Sequence, residues 1–444
     1  MTDDQHTADP AADAPRRGTD RRSLLRGGLL AAAGAAAGAG FGLAGGAAFS
    51  SQGGGAGGAV PDAVGASPSA APVGSADVPG GRGSVASGSL GTATIAVSEA
   101  GRQAGVHTPP GAHAIYRAYN VKKGMGAQRI KGWLRLLSDD ISRLMRGTEV
   151  LADVEPELGE APASLTITLG LGRGLVRAVG ATPPRWLAPL PAYKIDRLDA
   201  RWGEADMVLQ LTCDDPLTLA HADRVLQRES APFGEVAWVQ EGFRHARGAR
   251  PDGTTMRNLF GQVDGTSNPV PGTPDFDQLV WRTGAGAFGQ GGTSLVLRRI
   301  AMNLDTWDEV DRSARENSMG RTLKDGGPVT GGAERDEPDF EAKRGLVTVI
   351  PDFAHVRRSR TGNDAERIYR RGFNYADPGA SGHDRAGLLF ASFQADPMKQ
   401  FHPIQARLAQ MDLLNEWTVP VGSAVFWIPP AASEGGFLGE GLFT

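Results

Sequence analysis

The chain has 444 residues, a net charge of −4, a pI of about 6.1 and one cysteine, Cys213. A single cysteine allows neither an internal disulfide nor a thiolate metal cluster. The part after the leader has no basic block, which argues against nucleic acid as a partner.

In chain order, residues 1–50 read as a twin-arginine export signal. Arg21-Arg22 precede Ser23-Leu24-Leu25, and an Ala/Gly-rich, mildly apolar run follows to about Phe49. Gly and Ala give that run little insertion energy per residue, so a stable membrane anchor is not expected after cleavage. The expected destination is extracellular or periplasmic. Residues 51–90 are rich in Gly, Ala, Ser and Pro and cannot offset the entropy of ordering, so they read as a flexible tether.

The remaining chain is long enough for two packed halves, 91–250 and 251–444. Thr94–Val97 is a short strand candidate. From Ile130 to Met145 the apolar residues recur at helical spacing, which predicts a helix over 127–145. Leu165–Leu169 alternates as a strand, and Met207–Leu211 is another. Asp215-Pro216 starts a helix bearing Leu219, Ala222, Val225 and Leu226, and Ala237–Gln240 resumes as strand. Strand, helix, strand, strand, helix, strand is the ferredoxin-like order. The second half repeats it less clearly. Strands are expected at Leu295–Met302, Leu346–Ile350, Leu388–Phe393 and Ala424–Ile428. Helices are expected from Asp305 to before Gly320 and over 404–414. The fold class is α+β, with helices over antiparallel sheets.

Near the start of the second half lies Gly261-Gln262-Val263-Asp264-Gly265-Thr266-Ser267-Asn268-Pro269. Glycines and a proline put Asp264 on a tight loop with nothing bulky beside it, expected near the seam of the halves. Among eight histidines, His355 stands out because it follows an apolar stretch and precedes Arg357 and Arg358. Basic neighbours suit a histidine that ligates the metal of an anionic cofactor. The other histidines read as surface or structural residues. Arg370 and Arg371 sit among apolar and aromatic residues, an expensive place for charge. If this stretch is extended they face opposite ways, and only one can share a pocket with Asp264.

Gly261-x-x-Asp264-Gly265-Thr266, then His355, then Arg370-Arg371-Gly372-Phe373, then Leu389-Phe390 resembles the dye-decolourising haem peroxidases. Gln103-Ala104-Gly105-Val106 and Leu165–Gly170 agree with this. The resemblance spans about residues 92–430 and is nearest to an exported bacterial branch containing deferrochelatase-like peroxidases. One departure is Arg102, where relatives often have a histidine before Gln-Ala-Gly.

The resemblance implies two ferredoxin-like halves packed around haem b (iron protoporphyrin IX). It implies His355 as the iron ligand, with a supporting carboxylate from Asp412 or, alternatively, Glu416. Asp264 and Arg370 become the catalytic pair. Gly261 and Gly265 make room for the macrocycle, Thr266 is a further cofactor-binding residue, Arg357 and Arg371 pair with its propionates, and Phe390 walls the pocket. The implied partners are hydrogen peroxide and small-molecule reductants such as dyes and phenols. The alternative is haem handling in iron acquisition; a chlorite-dismutase-like enzyme and a cofactor-free exported protein are further ones. Oligomeric state is not legible, and a homo-oligomer stays open.

Overall fold

The computed structural model describes residues 90–443, so the expected export signal and nearly all of the expected tether lie outside the described residues. No helix among the described residues is long and apolar enough to cross a membrane.

One nine-stranded sheet organises the fold. Its strands are β1 (His113–Val121), β2 (Thr166–Leu171), β3 (Met207–Cys213), β4 (Gly234–Phe243), β5 (Thr293–Met302), β6 (Tyr369–Arg370), β7 (Phe373–Ala376), β8 (Ala386–Gln394) and β9 (Thr418–Ile428). Within the first half the hydrogen-bonded order is β4-β1-β3-β2, and within the second it is β7-β8-β5-β9. Both orders are the ferredoxin-like one, and the pairings are antiparallel. Narrow contacts join the halves at Asn374↔Phe243 and Trp427↔Leu171. Eight strands thereby close on themselves, leaving no long open edge. The short β6 runs on from β7 along the same side of β8, after a break at Arg371-Gly372.

Side-chain alternation divides the apolar residues between two faces. The inner face carries Ala114, Tyr116 and Ala118 of β1, Leu295 and Leu297 of β5, and Leu389, Ala391 and Phe393 of β8 in one buried cluster. On the outer face of the first half, Ile115, Leu209 and Leu211 pack beneath two helices. The first is Ala127–Met145, which buries Ile130, Trp133, Leu134, Leu137, Ile141, Leu144 and Met145. The second is Pro216–Ser230, whose first turn is capped by Asp215 accepting from the Thr218 amide at 2.8 Å. The outer face of the second half is not filled in this way, and the candidate site lies there.

Two expected strands are corrected. Thr94–Val97 is not a strand; the first strand of the ferredoxin-like unit is β1, a stretch given no element from sequence. Arg117 breaks the apolar pattern of β1, yet it is buried by a two-point pair with Asp223, at 2.6 Å from Nε. Leu346–Ile350 contributes only Val347–Thr348, paired with Lys343–Arg344 in a small hairpin. Leu346 is 99% exposed, so this apolar run is not a core strand. The second strand of that half is β6–β7 instead. The expected single helix before Gly320 is two short ones, Leu304–Asp308 and Arg312–Met319, capped by Asn303 and Asp311.

Candidate active site

The floor of a large cavity is made by side chains at period two on the outer face: Arg298, Ile300 and Met302 of β5, Leu388 and Phe390 of β8, Thr418 and Pro420 of β9. Helices Arg312–Met319, His355–Ser359 and Phe401–Met411 and the loop around Asp264 supply its other walls. The space free of atoms is about 1600 Å³ with the open mouth included. All the lining residues but Ile195 belong to the second half. The cavity and the Asp264 loop therefore lie within that half, rather than at the seam between the two.

His355 opens the helix His355–Ser359. That helix sits against Gly320, which ends the preceding helix at φ +86°. A Cβ there would lie 2.4 Å from Val356 Cγ1, so only glycine gives both the turn and the close approach. His355 Nδ1 lies 2.6 Å from Asp412 Oδ2, and Asp412 Oδ1 accepts from the Leu414 amide at 3.0 Å. The carboxylate thus orients the ring and leaves Nε2 with a free lone pair. Burial alone would push the imidazole pKa down; the charge of Asp412 and its hydrogen bond outweigh that, and the net shift is upward. Asp412, one of two carboxylates considered for this role, is the one that makes the bond.

The Asp264 loop begins with a bridge between Arg257 and Val263. The Asp264 amide donates to Met256 O at 2.8 Å. Arg370 Nη1 donates to Asp264 Oδ1 at 2.8 Å, while Asn258 Nδ2 lies 3.5 Å from Oδ2. Asp264 and Arg370 both line the cavity that His355 lines. Arg371 turns the other way, fully buried, and donates to the Thr108 carbonyl.

A large cavity with an apolar floor, one oriented imidazole and one carboxylate–guanidinium pair fits a metal macrocycle with a small co-substrate. Family models agree. Residues 103–244 match the Dyp-type peroxidase N-terminal model, and residues 255–433 match the C-terminal one. The chain is 40% identical over 304 residues to a dye-decolorizing peroxidase of Thermobifida fusca (strain YX), covering 66% of this chain and 70% of the relative. The chain belongs to the DyP-type peroxidase family. It is also 30% identical to a deferrochelatase of Yersinia pestis bv. Antiqua (strain Nepal516), across 77% of this chain and 83% of that one. The crystal structure of a DyP-type peroxidase from Cellulomonas bogoriensis matches with a TM-score of 0.76 at 47% identity, covering 80% of this chain and 99% of that chain. The protein is a haem-dependent peroxidase of mixed α/β fold.

Within this DyP-type peroxidase the other expected site residues divide. Gly265, Thr266, Phe390 and Asp412 line the cavity. Gly261 does not; it makes the turn before Asp264 with φ +79°. Arg357 and Arg371 do not line it either. Arg357 pairs with Asp352 at 3.1 Å and donates to the Phe340 carbonyl, so the expected pairing of these two arginines with propionates is corrected. The lining arginines besides Arg370 are Arg298, Arg321, Arg360 and Arg367, none singled out from sequence. Arg298 had a signal: it shares its strand face with Ile300 and Met302, and a basic residue on an apolar face needs a partner or a ligand. Its partner is Asp196 at 2.5 Å.

Proposed function

We propose that this DyP-type peroxidase holds haem b in the cavity with His355 on the iron. It is exported and uses hydrogen peroxide to oxidise bulky organic compounds such as dyes and phenols. One observation carries the reading: the His355–Asp412 pair and the Asp264–Arg370 pair line a single cavity. Bound haem supplies the peroxide reduction and the oxidising equivalents passed to the organic reductant. The chain's own residues do the rest. Asp412 accepts the Nδ1 proton of His355 and fixes the tautomer that leaves Nε2 free for iron. Asp264 takes a proton from one peroxide oxygen and returns it to the other, the leaving one. Its Oδ1 is held by Arg370, so Oδ2 is the atom expected to carry that proton. Arg370 stabilises the negative charge that develops as the O–O bond breaks. The cavity-lining cations for the propionates are Arg321, whose guanidinium donates to backbone carbonyls, and Arg360 and Arg367, which also pair with Glu337 and Asp275. Export rests on Arg21-Arg22 and the weakly apolar run after them.

Likeness to a deferrochelatase favours a second reading, in which iron is released from haem. Both are tested by turnover against a panel of anthraquinone and azo dyes, phenols and haem itself. The expected result is peroxide-dependent oxidation of dyes and phenols with the iron of added haem still in its porphyrin. Free iron and intact porphyrin from haem, without dye turnover, would replace the first reading by the second.

A further inference from the structure

Arg370 reaches Asp264 from a strand of two residues, so something must hold that strand in place. On one side β6 pairs with β8, at Tyr369↔Phe393 and Arg370↔Ser392, and the Arg371 amide donates to Ala391 O at 2.8 Å. Backbone groups of successive residues alternate sides along an antiparallel strand. The amide and carbonyl of Arg370 therefore face away from β8, where β6 ends the sheet. The carboxamide of Asn268 takes both: Nδ2 donates to Arg370 O at 2.7 Å, and Oδ1 accepts from Arg370 N at 3.0 Å. One side chain thus acts as a one-residue neighbouring strand. Asn268 is also only four residues after Asp264, on the same loop. Asp264, the loop, Asn268, the Arg370 backbone and the Arg370 guanidinium close a ring. The link within it is short and tied in place: the Asn268 amide donates to Gly265 O at 3.1 Å, and Thr266 Oγ1 donates to Glu334 Oε1 at 3.0 Å.

We propose that Asn268 is a positioning residue that sets the register between Asp264 and Arg370. It acts through the Arg370 backbone and does not itself touch peroxide. This rests on the assignment of Asp264 and Arg370 to peroxide chemistry. A misplacement of about 1 Å in such a pair costs on the order of 10²-fold in rate.

The test is a double-mutant cycle on the haem-loaded protein with Asn268→Ala, Arg370→Ala and both, beside Asp264→Ala. Peroxide reaction is followed by stopped-flow, dye dependence at steady state, and fluoride affinity of the ferric protein by titration without turnover. Asn268→Ala is expected to slow the peroxide reaction by about 10–10²-fold, weaken fluoride binding and leave the half-saturating dye concentration unchanged. In the Arg370→Ala background its effect should shrink to about twofold or less, the mark of two residues acting as a unit. Equal effects in both backgrounds, or an Asn268→Ala protein as fast as the parent while Arg370→Ala is slow, would overturn the proposal alone. If neither Asp264→Ala nor Arg370→Ala slows the reaction, the assignment beneath it fails instead. Asn268→Asp keeps the acceptor for the Arg370 amide and loses the donor. It should fall between parent and alanine variant, and it carries the same cycle if the alanine variant does not load haem.

Discussion

Replacing His355 by alanine is expected to abolish stable haem binding while the fold survives. The imidazole lines the cavity with its side chain 28% exposed, so its removal widens the cavity and opens little void in the core. The helix it begins is anchored by Val356 against Gly320, which the substitution leaves alone. Asp412 loses its ring partner but keeps the Leu414 amide. Haem titration followed in the Soret region should show affinity lower by more than about 10²-fold. Asp412→Asn, which weakens the orienting bond, should lose about 10–100-fold. Parent-like affinity and spectrum in His355→Ala would rule the residue out as ligand. The same pair gives a pH dependence. Iron needs the neutral ring, and Asp412 favours the protonated one, with a pKa above the ordinary histidine value. Haem affinity should therefore be full above that raised pKa and fall as pH drops through it.

How far the sequence spoke depended on what each residue's neighbours were. The helix Ala127–Met145 is legible to the residue because its apolar positions keep helical spacing throughout, even with Asp140 buried among them. β1 is not, because Arg117 sits inside it, and only the partner Asp223, 106 positions away, makes that burial tolerable. Leu346–Ile350 misleads for the opposite reason: a continuous apolar run carries no periodicity that separates core from exposed hairpin. At the site, Asp264, His355 and Arg370 are legible as an ordered set, whereas Asp264 alone reads as a turn. The arginines failed by proximity. Arg357 is two residues after His355, which on a helix is about 200° around the axis, and Arg371 is one residue after Arg370, on the opposite face of the strand. Nearness in sequence places a charge beside a ligand only when the period of the element agrees. Asn268 could not have been found this way at all, since its partners are backbone atoms 102 positions distant.

Asp264 and Arg370 give the second large effect. Either substitution by alanine is expected to keep haem, because both side chains stand in the cavity wall, at 19% and 25% exposure, and not in the core. Loss of a positioned proton carrier typically costs about 10²–10⁴-fold, and loss of one charge-stabilising donor about 10²–10³-fold. Mixing the ferric proteins with peroxide and following the haem spectrum reads these directly. Asp264→Asn separates the two roles of the carboxylate, since it keeps the shape and a partner for Asn258 but cannot take a proton. A rate as low as that of Asp264→Ala assigns proton transfer to Asp264; a rate near the parent's reduces Asp264 to a holder of Arg370. The two residues touch at 2.8 Å, so the double variant should lose less than the product of the single losses. Should both single variants react with peroxide at the parent rate, the peroxide-activating group must be sought elsewhere on the cavity wall.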